Sequence, residues 1–429
     1  MKSLSLCMIV RNEEDFLYKC LSSIKGWVDE IIIVDTGSED NTINIAKKFT
    51  NKVYKHKWPN DFSKVRNISL SHATKDWILV LDADEIISEE DMKKIKNLIE
   101  DNSIDGYVLT QKNYTNDSSL LSWTSCFKKS KHVLNFKGYT SSKIVRLFKN
   151  KKEYRFRNKV HELITYSIKN KNGKIINTDI SIHHYSESKS KESEKNKRLM
   201  YLRIGEEQIK NNPNDERAYY ETGLICLKLG EKEKALEKFK KVIDLNPSYK
   251  NIHYNLGNTY YQLKILNESI ESLKKSIQKN QGINSAHNLL GIIYQSQGMY
   301  KEAIEILTEG IKIKENVLLL QNLGGIYVRL GMFDKAINLL DKALKINSNN
   351  LGVLNNLSGA YFGLKRYDDA IKTLNQIISI DKNNYKIYLN LSLIYLEKGE
   401  RDKATIVLDK LVKLSPEQKQ IANKILAMK

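Results

Sequence analysis

The sequence predicts two fold classes in one chain, an α/β domain with a mostly parallel sheet and an all-α solenoid after it. In the first 190 residues, continuous apolar runs such as Trp77–Leu81 alternate with amphipathic stretches such as Glu14–Lys25. This alternation is the pattern of a doubly wound sheet. From residue 216 onward, small and aromatic residues recur every 34 residues, with one step of 33. A chain of 429 residues is also too long for a single hydrophobic core.

Composition indicates a folded protein of a reducing compartment. Apolar residues make up 41% of the chain and prolines number four, which argues against disorder. The four cysteines show neither metal-ligand nor disulfide spacing. No stretch has the length of a membrane span, and the apolar run Leu4–Val10 is too short for a secretory signal. We therefore expect a soluble, cytoplasmic protein without a transmembrane segment.

The net charge of +19 is concentrated in residues 101–200, which hold 21 Lys and Arg against 9 Asp and Glu. Such an excess attracts phosphates, nucleic acid or an acidic membrane face. Solvated lysines of a lysine-rich composition explain it equally well. Because no basic motif interleaved with aromatic residues is present, nucleic acid is not an expected partner.

Acidic residues follow the fourth predicted strand of the α/β domain. The predicted strands are Leu4–Val10, Glu30–Val34, Val53–His56 and Trp77–Leu81. Asp82, Asp84 and Glu85 come next, at the carboxyl end of the sheet, where ligands bind in open α/β folds. If the backbone stays extended, Asp82 and Asp84 share one face. Two such carboxylates suit a divalent cation that holds a diphosphate.

Four short motifs in this region occur in a fixed order. They are Arg11-Asn12-Glu13, Asp35-Thr36-Gly37-Ser38-Glu39-Asp40-Asn41-Thr42, Val65-Arg66-Asn67 and Leu81-Asp82-Ala83-Asp84. Together they resemble the family 2 glycosyltransferases with the GT-A fold. With Trp58 and Asp61-Phe62-Ser63, they are similar to the subgroup of lipopolysaccharide-core glucosyltransferases and bacteriocin S-glycosyltransferases. The resemblance implies a bacterial transferase that uses a UDP-sugar donor and a divalent metal, Mn²⁺ or Mg²⁺.

The resemblance also implies which residues bind the donor. Asp82 contacts the ribose and Asp84 the metal. Asp35 accepts from a uracil N–H or a ribose hydroxyl, or else caps the following helix. Arg66 pairs with donor phosphate or with Asp35, the alternative being a surface ion pair. The complete donor-binding set is Val10, Arg11, Glu13, Asp35, Arg66, Asp82 and Ala83.

Residues 101–190 supply the candidate base and further contacts. Strands are predicted at Asp105–Gln111, Lys143–Phe148 and Ile180–His184, with a mobile or acceptor-side loop over Asn113–Phe136.

The sequence Val160-His161-Glu162 matches a tripeptide of the resembled family, although Asn158 stands where that family usually has glycine. An inverting transfer needs one base and positive charge beside the departing diphosphate. Glu162 is the candidate base, the alternative being a surface glutamate. Arg146, Arg155 and His161 are candidate phosphate or acceptor contacts, and His184 is a candidate metal ligand.

The second half is predicted to be an array of six repeats. Small residues recur at Gly223, Gly257, Gly291, Gly324, Ser358 and Ser392, and again at Ala235, Ser269, Ala303, Ala336, Ala370 and Ala404. This is the tetratricopeptide signature. We place the α/β domain at 1–190, a linking helix or half repeat at 191–215, the six repeats at 216–415 and a capping helix at 416–429.

Asparagines recur two positions before the small residue. They are Asn255, Asn322, Asn356 and Asn390, whereas Leu289 occupies this position in the third repeat. A row of amides can pair with the backbone of an extended peptide, and it resembles the asparagine ladder of O-linked N-acetylglucosamine transferase. Repeat consensus in an asparagine-rich chain is the alternative. We expect an inverting glycosyltransferase that modifies a protein or peptide on the concave face of the repeats, with oligomers possible. The alternatives are a lipid-linked or surface polysaccharide acceptor, and a scaffold with an inactive transferase domain.

Overall fold

A computed structural model describes residues 1–116, 124–126, 136, 138–160, 162–185, 191–280 and 283–427. The chain divides into two compact units, Met1–Leu245 and Asn246–Lys429. The first unit therefore extends past the predicted domain end at residue 190. It includes the linking helix and the first pair of repeat helices, because that helix packs on both the α/β domain and the first pair.

In the described part of the chain, the strands of the first unit are β1 (Leu4–Val10), β2 (Glu30–Asp35), β3 (Val53–Lys55), β4 (Trp77–Val80), β5 (Glu85–Ile87), β6 (Gly106–Thr115), β7 (Thr124–Ser125), β8 (Gly138–Lys149) and β9 (Ile175–His184). They form a mixed sheet whose strand order is β3-β2-β1-β4-β8-β6-β9-β5, with β7 paired to β8. Strands β1 to β4 pair in parallel, whereas β8 runs antiparallel to both β4 and β6. The predicted parallel core is confirmed, and antiparallel strands extend it.

The helices of the first unit follow the strands. They are α1 (Glu14–Ile24), α2 (Thr42–Lys47), α3 (Phe62–Ser71), α4 (Glu89–Leu98), α5 (Thr165–Lys169), α6 (Lys191–Asn211), α7 (Glu216–Leu229) and α8 (Lys232–Leu245). Asp61 starts α3 by accepting a hydrogen bond from the Lys64 amide at 3.0 Å, the usual role of aspartate at an N-cap. Ser88 does the same for α4.

Both faces of the sheet are buried, which explains why its strands have continuous apolar sequences. Along β1, Leu6 and Met8 pack into one hydrophobic cluster with α1. Cys7, between them, packs into the other cluster with Ile32 and Phe148. The carboxyl ends of the strands, where this apolar pattern stops, are left as the place for polar chemistry.

The second unit is a run of paired helices. They are α9 (Ile252–Gln262), α10 (Leu266–Gln278), α11 (Ile283–Ser296), α12 (Tyr300–Ile313), α13 (Val317–Arg329), α14 (Phe333–Ile346), α15 (Leu351–Gly363), α16 (Tyr367–Ile380), α17 (Tyr385–Glu397) and α18 (Arg401–Leu414), followed by one 3₁₀ turn (Pro416–Gln418) and α19 (Lys419–Ala427). With α7 and α8, the described helices up to α18 form six successive pairs. None of the described helices is both long and apolar enough to cross a membrane.

The small residues of the repeat pattern lie where the first helix of a repeat packs against the second helix. A Cβ atom added at Gly257 would lie 2.7 Å from Leu273, and one at Gly291 would lie 2.6 Å from Leu307. Distances this short are steric overlaps that the packed interior resists. The partner positions in the second helix of each repeat, such as Ala303 and Ala336, are fully buried. The small residues of the repeat therefore mark the positions where its two helices approach closely.

Candidate active site

A cavity of 1040 Å³ opens at the carboxyl ends of β1 and β4 in the first unit. Residues just after these strands line it, which is where ligands bind in open α/β sheets. Most of the α/β site residues predicted from the sequence are among its lining residues: Val10, Arg11, Glu13, Arg66, Asp82, Ala83, Asp84, Arg146, Glu162 and His184.

Arg66 of α3 joins two parts of the chain that are far apart in sequence. Its Nη2 donates to Asp82 Oδ1 at 2.7 Å, and its Nε donates to Glu162. The side chain is almost completely buried, so the predicted alternative of a surface ion pair is wrong. Burial alone would lower the pKa of Arg66, but Asp82 and Glu162 raise it above its usual value, so the guanidinium stays charged.

Arg146 of β8 holds the other side of Asp82. Its Nη2 lies 2.9 Å from Asp82 Oδ2 and 3.6 Å from Glu85 Oε1. Burial alone would raise the pKa of Asp82, but Arg66 and Arg146 hold it well below its usual range. Both Asp82 oxygens are therefore fixed as a carboxylate between two arginines.

Glu85 is a part of this cluster that the predicted site did not include. Its side chain is fully buried and accepts hydrogen bonds from the Asp82 amide and from Gln111 Nε2. Burial raises its pKa, against the attraction of Arg146. Because Glu85 follows Asp82 and Asp84 directly, its position in sequence was a usable signal.

Asp84 faces different partners from Asp82. The Glu85 amide donates to the Asp82 carbonyl oxygen at 3.1 Å, so the chain turns through Ala83 and Asp84. The expectation that an extended backbone puts both aspartates on one face is therefore wrong. Asp84 Oδ2 instead lies 3.5 Å from His184 Nε2.

His184 is oriented by the sheet. It is paired in register with Glu85 of β5 and with Asn113 of β6, and its Nδ1 lies 2.7 Å from Asn113 Oδ1. A hydrogen bond from Nδ1 to the amide oxygen leaves Nε2 as the nitrogen that faces Asp84. Metal-binding histidines are held in this way by a second residue.

The donor set of Asp84 and His184 fits a divalent metal. Within the described residues, no group of three or more His, Cys, Asp or Glu side chains converges as a metal site. One carboxylate oxygen and one imidazole nitrogen are a partial set. An ion held by these two residues would need further ligands from water or from substrate phosphates, as Mg²⁺ commonly does.

Three predicted residues lie elsewhere. Asp35 is buried and does not line the cavity; its Oδ1 accepts from the amides of Gly37 and Ser38 at 3.0 and 3.1 Å. It pairs with the following loop, so the alternatives of an Arg66 pair and of a helix cap are both wrong. Arg155 is not a lining residue, because its Nη1 donates to the Tyr154 carbonyl oxygen at 2.8 Å. His161 lies outside the described residues, as does most of the predicted acceptor-side loop.

Glu162 lies at the edge of the cavity with a side chain that is 12% exposed. In the loop before Glu162, Asn158 replaces the usual glycine and has a backbone conformation that glycine favours. Asn158 has φ of 78°, the left-handed region, which asparagine tolerates better than other non-glycine residues.

One wall of the cavity comes from a helix whose role the sequence did not reveal. Asn196, Lys197, Met200 and Tyr201 of α6 are lining residues. The Tyr201 ring meets the Phe62 ring edge to face at 5.5 Å, and Phe62 meets Trp58 at 4.6 Å. The spacing of Lys197 and Tyr201, one helical turn apart, was the available signal.

The asparagine row lies in the second unit. Three of its side-chain amides donate a hydrogen bond to the preceding repeat. Asn322 Nδ2 donates to Asn288 Oδ1 at 2.7 Å, Asn356 Nδ2 to the Gln321 carbonyl oxygen at 3.2 Å, and Asn390 Nδ2 to Asn355 Oδ1 at 3.2 Å. Asn255 is buried. The row is thus part of the contact between repeats, and binding of a peptide stays a prediction.

Comparison with protein families agrees with this architecture. Residues 5–167 match the model of Glycosyl transferase family 2. Tetratricopeptide repeat models match residues 223–264, 251–279, 285–317, 327–383 and 361–427. The chain therefore contains a family 2 glycosyltransferase domain followed by tetratricopeptide repeats.

Two curated relatives are similar to parts of the chain. A TPR repeat-containing protein of Synechococcus elongatus is 35% identical over 168 residues, 39% of this chain and 37% of that protein. The SPbeta prophage-derived glycosyltransferase SunS of Bacillus subtilis is 29% identical over 243 residues, 55% of this chain and 52% of that protein. The chain thus spans about half or less of the length of these relatives. Among solved structures, the APC/C hetero-tetramer Cut9-Hcn1 overlaps 55% of this chain and 46% of its own, at 22% identity and a TM-score of 0.45.

Proposed function

We propose that this protein is a metal-dependent, inverting glycosyltransferase that moves a sugar from a UDP-sugar to a protein or peptide side chain. The observation that supports this best is the cavity beside the family 2 motifs, where Arg66 and Arg146 fix Asp82 next to the pair of Asp84 and His184. A nucleoside diphosphate needs this combination of cations and metal ligands. A cytoplasmic location stays part of the proposal.

Asp84 and His184 would hold the metal, which when bound neutralises charge on the donor diphosphate. Two further donors favour an oxygen-rich ligand. Arg66 Nη1 and Arg146 Nε are buried and have no acceptor among the described residues. Buried donors are rarely left in this state unless a ligand or water completes the site.

Glu162 is proposed as the base. Its Oε1 accepts from Arg66, which fixes the carboxylate and leaves Oε2 for the acceptor. As the acceptor atom forms its bond to the anomeric carbon, the bond from that carbon to the diphosphate breaks and UDP leaves with the electron pair. Oε2 takes the acceptor proton. A single displacement of this kind inverts the anomeric carbon.

The donor proposal is tested by thermal unfolding with UDP, with and without Mn²⁺. A ligand that binds only the folded state raises the melting temperature by mass action. We therefore expect the melting temperature to rise only when UDP and Mn²⁺ are both present. Asp84→Asn should remove the Mn²⁺-dependent part. Asp179→Asn is the matched control, because Asp179 is exposed on β9 and pairs with Lys94. No rise with any nucleoside diphosphate would favour the scaffold alternative.

The base is tested by separating donor binding from turnover. Glu162→Gln should leave the UDP-dependent rise in melting temperature in place while lowering turnover by about 10²-fold or more. Normal turnover would rule out Glu162 as the base.

The acceptor class rests on the repeats and on the similarity to SunS over 243 residues. Replacing Asn322, Asn356 and Asn390 together by alanine should weaken a protein acceptor without changing hydrolysis of the donor. If a lipid-linked or polysaccharide acceptor is used and the triple variant transfers to it normally, the protein-acceptor proposal fails and the donor proposal stands.

A further inference from the structure

Some residues that line the cavity lie outside the segment that matches family 2. That match ends at residue 167, yet α6 contributes Lys197 and Tyr201, and α7 contributes Arg217. All three lie in the first compact unit. The site is therefore completed by the linking helix α6 and by α7, the first helix of the repeats.

Helices α6 and α7 add positive charge to the lining of the cavity. Among the described lining residues there are five basic and five acidic side chains, and two of the basic ones are Lys197 and Arg217. Without the helices, the lining would be net negative and would repel a diphosphate. With the helices, the basic and acidic side chains of the lining are equal in number, which removes the net repulsion of an anion.

The cations differ in how far they are already neutralised. Arg66 and Arg146 are held by acids of the cluster, and Arg217 lies 3.7 Å from Glu221 of its own helix. Lys197 forms no ion pair with any residue that the structure describes; its Nζ lies 5.8 Å from the centroid of the Tyr201 ring. It is therefore a cation that can still meet a charged ligand.

Helix α6 is held firmly enough to place this cation. Tyr201 packs on Phe62, Lys159 Nζ lies 2.9 Å from Glu207 Oε1, and Lys238 Nζ lies 3.0 Å from Glu206. These contacts join α6 to α3, to the loop before Glu162 and to α8. A side chain on a supported helix is positioned more exactly than one on a free loop.

We propose that Lys197 binds the diphosphate of the donor, so that the linking helix α6 forms part of the donor site. This rests on the proposed function. A flexible ammonium suits a phosphate group as a point charge. The helices would then act in donor binding, while the later repeats remain free for the acceptor.

The test is a calorimetric titration of the full chain with UDP and Mn²⁺. We expect Lys197→Gln to weaken UDP binding by about tenfold and to lower its dependence on salt. Lys197→Arg should retain most of the affinity. Lys210→Gln is the matched control, since Lys210 is exposed on the same helix and is not a lining residue, and it should bind as the wild type does.

Each outcome separates the two proposals. If the wild type binds UDP and Lys197→Gln binds equally well, the inference is overturned and the proposed function stands. If Lys210→Gln weakens binding as much as Lys197→Gln, the effect is general electrostatics and the inference is again overturned. If the wild type binds no UDP, the proposed function fails and the inference fails with it.

Discussion

The two compact units are stabilised by contacts of different range. In the first, Arg66 meets Glu162, 96 residues away, and the cluster around Asp82 joins four separate segments. In the second, the repeat-pattern glycines Gly257, Gly291 and Gly324 each pack on a leucine of the same repeat, as Gly291 does on Leu307. Long-range contacts between buried charges are sensitive to the loss of one partner. Local apolar contacts recur in every repeat, so each of them contributes only a part of the unit's stability. A mutation should therefore act differently in the two units.

Their responses can be followed separately. All four tryptophans lie within the first 123 residues, so tryptophan fluorescence reports on the first unit. Far-ultraviolet circular dichroism reports mainly on the helices, most of which belong to the repeats.

The largest effect should come from Arg66→Ala. Removing the guanidinium leaves the mostly buried Glu162 without its arginine and leaves Asp82 with Arg146 alone, and we expect a loss of roughly 3–5 kcal/mol in urea unfolding followed by tryptophan fluorescence. Lys64→Ala, on the same helix, removes an exposed side chain 4.0 Å from Asp61 and should cost less than about 1 kcal/mol. Equal losses would show that the charge cluster does not stabilise the first unit.

The corresponding change in the repeats is Gly291→Ala. Its Cβ would lie 2.6 Å from Leu307, and the overpacking should cost roughly 1–3 kcal/mol in unfolding followed by circular dichroism. Gly359→Ala is the control, because its Cβ would lie 3.5 Å from Val328; there alanine should be neutral or stabilise the helix by up to about 1 kcal/mol. If both variants behave alike, the helix contact is not the reason for the small residue.

A pH titration sharpens the comparison at a buried acid away from the cavity. Burial alone would raise the pKa of Glu30, but hydrogen bonds from Lys52, Ser5 and Thr74 lower it to about 2. Because the pKa is lowered in the folded state, the stabilisation is complete above the ordinary pKa of 4.5 and is lost as the pH falls toward 2.

Glu30→Gln should therefore destabilise the first unit by roughly 1–2 kcal/mol at pH 7, with a difference from the wild type that shrinks as the pH falls through 4. The control is Glu39→Gln, which changes an exposed glutamate. A difference that is constant with pH would contradict the assignment.

The smallest effect concerns the backbone before Glu162. Asn158→Ala places alanine at φ of 78°, which should cost about 1 kcal/mol, while Asn158→Gly should match or exceed the wild type in stability. Fluorescence-monitored urea unfolding of both variants checks this, and an alanine variant as stable as the glycine one would show that the loop is not held in the left-handed region.

Sequence reasoning succeeded where one signal is repeated or local. The repeats followed from a period of 34, and β1, β2 and β4 from apolar runs that the sheet buries on both faces. It failed where the fold joins distant segments. The turn after Asp82, the burial of Glu85 and the contact of α6 with Phe62 depend on strand register and helix packing that no local pattern encodes.

Strand β9 shows the same limit for the metal pair. His184 was predicted from a resemblance, but its orientation depends on pairing with both β5 and β6. The residue type was visible in the sequence, and the direction of its Nε2 was not.

The position of the linking helix α6 has a practical consequence for fragment design. A fragment ending at residue 190, where the family motifs suggest a boundary, would leave the Phe62 ring without Tyr201 and Lys159 without Glu207. A newly bare aromatic surface of this kind promotes aggregation. A fragment intended for crystallisation or for screening nucleotides should instead run to Leu245, the last residue of the first compact unit.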